Sequence, residues 1–213
     1  MKQFCFLCIL AIIASSCSST KNKAVKNGWI PLFDGKSLTN WKVNENPASF
    51  HVDSGMIIAN GERSHLFYEG PVMNHDFKNF ELKALVKTTK GSNSGIFIHT
   101  AFQETGWPSK GYEVQVNNTH SDWRKTGSLY AVEDVKEVYV KDGEWYTEYV
   151  KVEGKKITIK INDRTVVDYT EPEGIEKTAD RATKHLSSGT FALQGHDPGS
   201  KVYFKEILVK PLP

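Results

Sequence analysis

The sequence predicts an all-β protein built as a sandwich of two antiparallel sheets. Apolar and polar side chains alternate at the period of a strand in many short segments, turn signals separate those segments, and no long amphipathic helix appears. The 213 residues, 39% of them hydrophobic, suffice for one globular domain with a sizeable core. With a formal net charge of only +2 and no basic stretch carrying interleaved aromatics, nothing indicates nucleic-acid binding.

Residues 1–17 have the features of a targeting segment. Lys2 precedes an apolar run from Phe4 to Ile13, which is too short to span a bilayer permanently, and small residues then lead directly to Cys17. This ending resembles a relaxed bacterial lipobox, so we expect cleavage before Cys17, lipidation of that cysteine and anchoring to a membrane. The alternative is an ordinary secretory signal with an incidental cysteine.

The remaining chain is predicted to be a tether followed by one domain. Residues 18–27 are polar and rich in breakers, which favours a flexible tether, and residues 28–213 form the single domain. The three cysteines all lie in the first 17 residues, so the domain is expected to have neither a disulfide framework nor a cysteine metal site.

The strands are predicted in order from the alternating segments and the turns between them. A hairpin closes at Asp53-Ser54-Gly55, and a second one turns at Glu153-Gly154. Residues 118–133 and 171–187 read as long loops, the second with one helical turn, and long loops are often functional. The predicted strands lie near 29–33, 50–58, 66–68, 79–89, 93–100, 111–118, 147–152, 155–161, 165–169, 189–196 and 202–212.

Three of these strands carry polar groups on one face that are suited to binding or proton transfer. Their aliphatic residues alternate with a set of mostly amide, imidazole and carboxylate side chains. If the strands share a sheet, we expect this set to line one polar cleft. Plain solvation of an outward face is the alternative, but the solvated faces elsewhere use long charged side chains such as Lys83 and Lys160. The set comprises His99, Glu113, Gln115, Asn117, Gln194 and His196.

Several of these segments together resemble one known family. They are WIPLFDGKSLTNW, NSGIFIHT, GYEVQVNN, TGSLY, EWYTEYVKVEGKKITIKIND and GTFALQGHDPGSKVYFKEILVKPL, in this order from about Gly28 to Pro211. They resemble the domain formerly of unknown function 1080, now described as 3-keto-disaccharide hydrolase. Members often carry Arg near His99 and Asp near Gly195, so this chain departs from the family pattern at two positions.

The resemblance implies a concanavalin A-like jelly-roll sandwich, found in secreted or lipidated proteins of Bacteroidetes, and action on 3-keto-glycosides. The ketone acidifies the C2 hydrogen, so a base can remove it and the resulting enolate expels the C1 substituent. The outcome is hydrolysis or lyase action, without the paired carboxylates of standard glycosidases. Such a reaction needs a base, an acid for the leaving group and a group that stabilises the enolate.

Candidate residues follow from this chemistry. Glu113 or His196 is the expected base, and His99 is expected to protonate the leaving group or polarise the ketone. A divalent ion held by His99, Glu113 and His196 is chemically compatible, although no local spacing signature supports it. His120 and Asp122 are expected to lie in a solvated loop. The expected sugar contacts are Asn93, Gln115, Asn117 and Gln194, with Trp107, Trp123 and Tyr130 as platforms bordering the cleft.

Two other classes of function remain open from the residues alone. A lectin-like, non-catalytic carbohydrate-binding lipoprotein would use the same polar face without a base. A structural or adhesion lipoprotein would leave that face without a ligand. In either case the signal segment predicts export, with the protein facing the periplasm or the cell surface.

Overall fold

The computed structural model describes residues 27–177 and 182–213, and it confirms the predicted all-β sandwich of two antiparallel sheets. The targeting segment, Cys17 and nearly all of the tether lie outside the described residues. The strands are β1 (Ile30–Pro31), β2 (Trp41–Val43), β3 (Phe50–Asp53), β4 (Met56–Ala59), β5 (Ser64–Tyr68), β6 (Phe80–Thr88), β7 (Asn93–Thr100), β8 (Tyr112–Asn117), β9 (Tyr146–Glu153), β10 (Lys156–Ile161), β11 (Arg164–Thr170), β12 (Thr190–Gly195) and β13 (Val202–Pro211).

The larger sheet has eight strands in the order β11-β10-β9-β6-β13-β4-β3, with β1 paired to β13. The predicted hairpin β3–β4 turns through Ser54 and Gly55, which both have positive φ. The hairpin β9–β10 turns at Gly154, as predicted. Along β6, buried and partly exposed residues alternate strictly, so its long charged side chains lie on the solvated outer face.

The smaller sheet has five strands in the order β2-β5-β12-β7-β8. The three predicted polar strands β7, β8 and β12 therefore do share one sheet. The segment after β8, predicted as loop, extends the edge of this sheet: Tyr130 donates its N–H to the carbonyl of Glu113 at 3.0 Å, and Gln115 donates to that of Ser128 at 3.0 Å.

The core fills the space between the two sheets. It combines apolar residues of the larger sheet, such as Val86 and Phe204, with those predicted to face inward from the smaller sheet, such as Ile96, Val114 and Leu193. Burial of each such side chain contributes about 1.5–3 kcal/mol. A separate small cluster of Phe67, Phe97 and Ala192 lies on the other face of the smaller sheet, which we call the cleft face.

The remaining elements are short. Residues 171–177 contain the predicted helical turn, which is a 3₁₀ turn at Ile175–Lys177. Within the described residues, no helix has the length and apolar character needed to cross a membrane. The architecture is a concanavalin A-like jelly roll, and every residue of the polar set is carried by the smaller sheet or lies next to it.

Candidate active site

A cleft of about 300 Å³ opens on the cleft face of the smaller sheet. Seven of the residues predicted from the sequence line it: Asn93, Trp107, Glu113, Gln115, Tyr130, Gln194 and His196. Asp122 and Lys184 also line it, although neither was expected to contribute. Period-two alternation brings the predicted side chains together because it places every second residue of three adjacent strands on the same face.

The floor of the cleft is a cross-strand row with a glycine at its centre. Gln194 on β12 pairs with His65 on β5, and Gly95 on β7 pairs with Gln115 on β8. Leu193 pairs with Ile96, so the antiparallel register puts Gln194 beside Gly95. Because Gly95 has no side chain, the centre of the row is open.

Glu113 occupies that opening. It is half-buried on β8, and its Oε1 accepts a hydrogen bond of 2.8 Å from Gln194 Nε2. A methyl group at Gly95 would overlap with the Glu113 carboxylate, so the glycine is required for this placement. Burial raises the pKa of the Glu113 carboxyl to about 7, although the Gln194 hydrogen bond and the Lys184 charge oppose the shift. A carboxylate with a pKa near neutrality is suited to act as a general base.

Two buried amide oxygens in the cleft have no partner among the described residues. The side chains of Gln115 and Gln194 are only 1% and 2% exposed, and Oε1 of each is unpaired. Gln115 donates from Nε2 to Asn93 Oδ1 at 2.5 Å, which fixes the orientation of its amide. An unsatisfied buried acceptor costs about 1–3 kcal/mol, so these oxygens indicate a place for hydroxyl or other donors of a ligand.

His196 forms a hydrogen-bonded pair with the next residue. Its Nδ1 lies 2.6 Å from Asp197 Oδ2. Asp197 also accepts from Ser200 Oγ at 2.9 Å and from the Gly199 N–H at 2.8 Å. Burial raises the pKa of the Asp197 carboxyl, but the hydrogen bonds from His196, Ser200 and Gly199 outweigh it and the pKa is lowered overall. The carboxylate therefore orients His196 and leaves Nε2 to exchange a proton with a ligand.

The loop after β8 adds a second imidazole. The rings of His120 and His196 are 5.5 Å apart, and His120 Nδ1 accepts the Asp122 N–H at 3.1 Å. His120 and Asp122 lie in a loop and are partly exposed, as expected, and in addition Asp122 lines the cleft and His120 contacts one of its residues.

The side chains that approach the geometry of a metal site differ from the predicted set. His120, His196 and Asp197 offer ligand atoms that all lie within 4.8 Å of one another. His120 Nδ1 accepts a hydrogen bond from the Asp122 N–H, which puts the ring proton of the neutral imidazole on Nε2, and Asp197 binds His196 Nδ1. An imidazole oriented by a carboxylate is suited to proton transfer, and metal-bound imidazoles are oriented in the same way.

His99 lies outside the cleft, so the prediction that it faces the substrate or a metal there is wrong. Its φ of 53° interrupts the alternation of β7 and turns the ring onto Phe80, at 5.6 Å between centroids. Its Nε2 is 2.9 Å from the carbonyl of Lys78, and its Nδ1 accepts the Ser187 N–H at 3.2 Å. Burial lowers the pKa of His99 to about 4, despite the opposing bond to the Lys78 carbonyl, so this neutral imidazole braces two segments of backbone.

Two further predicted contacts do not line the cleft. Asn117 is buried, and its amide donates to the carbonyls of Asp122 at 2.9 Å and Arg124 at 2.7 Å, so it holds the loop instead of a sugar. Trp123 is 48% exposed and lies against the guanidinium of Arg124, at 4.7 Å. Both predictions fail because the side chains of Asn117 and Trp123 contact loop residues. Their positions in the sequence do not predict those contacts.

The structure also adds residues that were not expected from the sequence. Asp197 directly follows His196, and Gly95 interrupts a strand pattern, which is a known sign of close approach by another group. His65 is buried on the cleft face under Trp107, with 5.4 Å between ring centroids. Only the register of β5 against β12 brings His65 into the row, so no local signal identifies it.

Fold and site together describe a β-sandwich whose polar cleft holds a carboxyl of raised pKa and an imidazole oriented by a carboxylate. The sequence profile of the 3-keto-alpha-glucoside-1,2-lyase-like domain matches residues 28–210, and the chain belongs to this family. A curated relative from Bacteroides thetaiotaomicron, named 3-keto-disaccharide hydrolase, is 29% identical over 171 residues, which make up 67% of this chain and 59% of the relative. The chain therefore matches about three fifths of the length of that protein.

Solved structures show the same architecture. A protein from Parabacteroides distasonis that is proposed to be a glycosyl hydrolase superposes with a TM-score of 0.70 at 25% identity, covering 87% of this chain and 94% of that one. A carbohydrate-binding module from Bacillus subtilis superposes with a TM-score of 0.51 at 13% identity, covering 86% of this chain and 95% of that one. The second likeness concerns the fold alone.

Proposed function

We propose that this protein cleaves 3-keto-glycosides by removing the proton at C2 and eliminating the C1 substituent. The observation that carries the proposal is Glu113, a half-buried carboxyl in the cleft with a pKa raised to about 7. Gln194 holds it in place through a neutral amide, and burial outweighs the opposing Lys184 charge, so the carboxylate keeps its raised pKa. The family and the name of the Bacteroides relative support a glycoside with a 3-keto group as the substrate.

The proposed reaction begins when the Glu113 carboxylate takes the proton from C2. The electron pair of the C2–H bond forms a C2–C3 double bond, and the ketone oxygen becomes an enolate. The enolate then collapses, the C1–O bond breaks, and protonated His196 donates a proton to the departing oxygen. The products are the alcohol of the leaving group and a 3-keto sugar with a C1–C2 double bond. Addition of water across that bond completes a hydrolysis, and release without it is lyase action.

The other cleft residues have supporting roles in this proposal. The Lys184 ammonium lines the cleft and is placed to stabilise the negative charge that develops on the enolate. The unpaired oxygens of Gln115 and Gln194 accept hydrogen bonds from sugar hydroxyls. Asp197 holds His196 through Nδ1, so that Nε2 is the nitrogen that donates. Trp107 and Tyr130 border the sugar as aromatic walls.

Non-catalytic sugar binding is the alternative that the sandwich fold permits. A binding module needs hydroxyl partners, which the amides supply, but it gains nothing from a carboxyl of raised pKa beside an oriented imidazole. The Glu113 and His196 pair therefore favours the enzyme.

We also propose that the protein is exported and attached to a membrane through a lipid on Cys17, facing the periplasm or the cell surface. This proposal rests on the apolar run and the small residues before Cys17, all outside the described residues. Metabolic labelling with a fatty acid, compared between the wild type and Cys17→Ser, is the test; equal labelling of both proteins would contradict it.

The function is tested with 3-keto-glucosides and their unoxidised parents as paired substrates, following release of the leaving group with and without EDTA. We expect turnover of the 3-keto compounds only, and turnover that persists in EDTA, because side chains supply both base and acid. Turnover that stops in EDTA would mean that a metal ion stabilises the enolate in place of Lys184. Binding without turnover of any 3-keto substrate would contradict the proposal.

A further inference from the structure

His65 carries hydrogen-bonding capacity that the folded protein leaves unused. Its side chain is 0% exposed, and neither ring nitrogen has a hydrogen-bond partner among the described residues. Each unsatisfied polar group costs about 1–3 kcal/mol, so a fully buried imidazole without partners is expensive to maintain. His65 is also the neighbour of Gln194 in the cleft floor, where two amide oxygens are unpaired as well.

Aromatic rings surround this imidazole on several sides. Phe97 and Trp107 each contact it edge-to-face at 5.4 Å between centroids, and Phe67 lies at 6.3 Å. Apolar walls with a few convergent polar atoms are typical of sites for small neutral ligands. Rings of this kind pack against the C–H faces of sugars, while the polar atoms select hydroxyl groups.

The charge state of His65 specifies the chemistry of the ligand. Burial lowers the pKa of His65 to about 4, and the charges of Arg63 and His196 act in the same direction against that of Glu45. The ring is therefore neutral where Glu113 ionises, with one N–H donor and one acceptor nitrogen. A hydroxyl group, which both donates and accepts, is complementary to such a ring.

Trp107 separates His65 from the open cleft. Its ring is 45% exposed, lines the cleft on one side and covers His65 on the other. The loop carrying it is braced from within, because Gln103 donates to the carbonyls of Thr105 at 2.7 Å and Trp107 at 2.8 Å and accepts from the Ser109 N–H at 2.9 Å. Rotation of the Trp107 side chain would leave this bracing intact and expose His65 to the cleft.

We propose that the Trp107 ring turns aside and that the cleft then extends to His65, forming a second sugar subsite in which His65 hydrogen-bonds a hydroxyl of a neutral sugar unit. The inference rests on the proposed function, which supplies the 3-keto-glycoside as ligand. Glu113 acts on the 3-keto ring, and His65 recognises the second sugar of a disaccharide. His65 is thus a residue of substrate recognition and takes no part in proton transfer.

Nuclear magnetic resonance of histidine nitrogens tests the subsite directly. The inactive variant Glu113→Gln, labelled with ¹⁵N, is titrated with a 3-keto-disaccharide of two glucose units. We expect the ring nitrogens of His65 to shift and to saturate together with the side-chain amide of Gln194. His51, exposed on the other sheet, is the internal control and should not move.

The outcomes separate this inference from the proposed function. A shift of the Gln194 amide with an unchanged His65 overturns the subsite and leaves the proposed reaction standing. If neither His65 nor Gln194 shifts, the subsite is overturned too. Turnover by the wild-type protein then tests the proposed reaction independently.

Kinetics of His65→Gln provide a second test. Loss of a hydrogen bond in the subsite should raise KM for the disaccharide about tenfold, with kcat reduced less than about threefold. A 3-keto-glucoside with a methyl leaving group, which does not reach the subsite, should show an unchanged KM. Equal losses on both substrates, or a loss confined to thermal stability, would contradict recognition by His65.

Discussion

Glu113 and Glu148 are glutamates in opposite sheets, the first half-buried and the second fully buried, and burial raises the carboxyl pKa of both. Glu113 lies at an open cleft, accepts a hydrogen bond from Gln194 and has an oriented histidine on the same cleft. Glu148 points from β9 into the core with 1% exposure, and both of its oxygens lack partners among the described residues. The pKa of Glu148 lies well above its usual range, so it is held neutral.

This difference shows that a raised carboxyl pKa indicates burial. Function also requires access for a substrate and hydrogen-bond partners that hold the carboxylate. A neutral carboxylic acid sealed in a core has neither a substrate to act on nor a group that would hold its ionised form. Glu113 has both an approach route and an amide that fixes its position. The following substitutions test whether the two glutamates differ in this way.

The largest expected effect is on turnover in Glu113→Gln. Loss of the general base should lower kcat for a 3-keto-glycoside by about 10²–10⁴-fold, while the fold and its circular dichroism spectrum stay unchanged. Glu148→Gln is the matched control, since it makes the same chemical change at the other buried carboxyl. Activity of Glu113→Gln within a factor of a few of the control would remove Glu113 from the mechanism.

Asp197→Asn should have the next largest effect. The amide can donate to Nδ1 and so hold the wrong tautomer of His196, and we therefore expect kcat to fall about 10²-fold with little change in KM. Asp168→Asn, on the exposed strand β11 of the other sheet, controls for loss of a charge. If Asp197→Asn leaves kcat as unchanged as Asp168→Asn does, Asp197 does not support His196 in catalysis.

Gly95→Ala tests the placement of the base without removing it. The added methyl overlaps with the Glu113 carboxylate and should displace it, and a misplacement of about 1 Å can cost about 10²-fold in rate. In Gly195→Ala the methyl meets no atom closer than 3.4 Å, so that variant controls for a methyl added to the same sheet. A fully active Gly95→Ala enzyme would show that the observed carboxylate position is not needed.

The raised pKa of Glu113 should also be visible in stability. Folding favours the protonated form of the Glu113 carboxyl. Its contribution to the free energy of unfolding is therefore fully present below pH 4.5, its ordinary pKa, and is lost as pH rises through about 7. Glu113→Gln should therefore gain about 1–3 kcal/mol over the wild type by pH 8 and nothing at pH 4, measured by thermal melts across this range. A pH-independent difference for Glu113→Gln would mean that its pKa is not raised.

The smallest effect on activity is expected at His99. Replacement by Leu removes its contacts with the Lys78 carbonyl and the Ser187 N–H, and should destabilise the fold by about 1–3 kcal/mol in chemical denaturation. Because the ring faces away from the cleft, kcat of the folded variant should stay within about twofold of the wild type. A large loss of kcat at unchanged stability would restore His99 to the site.

The alternation of single strands was sufficient to predict much of the fold and the centre of the site. A strand has a period of two, so once Val114 and Leu193 face the core, Glu113 and Gln194 must share the other face. That reasoning fails wherever one residue leaves extended geometry, as His99 does at φ 53°. Nothing in the local sequence specifies that turn of the backbone.

Other parts of the site depend on contacts between distant segments. Asn117 follows the alternation, yet its amide is used by the loop at Asp122 and Arg124. His65 enters the cleft floor only through pairing of β5 with β12, across more than a hundred residues of chain. Such contacts are set by tertiary register, which periodicity within one strand does not encode.

Exchange of the C2 hydrogen in heavy water tests the central claim most directly. The wild type, Glu113→Gln and Glu148→Gln are each incubated with a 3-keto-glycoside in D₂O, and the C2 position of substrate and product is followed by nuclear magnetic resonance against a protein-free control. We predict deuterium at C2 with the wild type and with Glu148→Gln, and only the protein-free rate with Glu113→Gln. Cleavage of the glycosidic bond by the wild type with the C2 proton fully retained would contradict proton abstraction by Glu113.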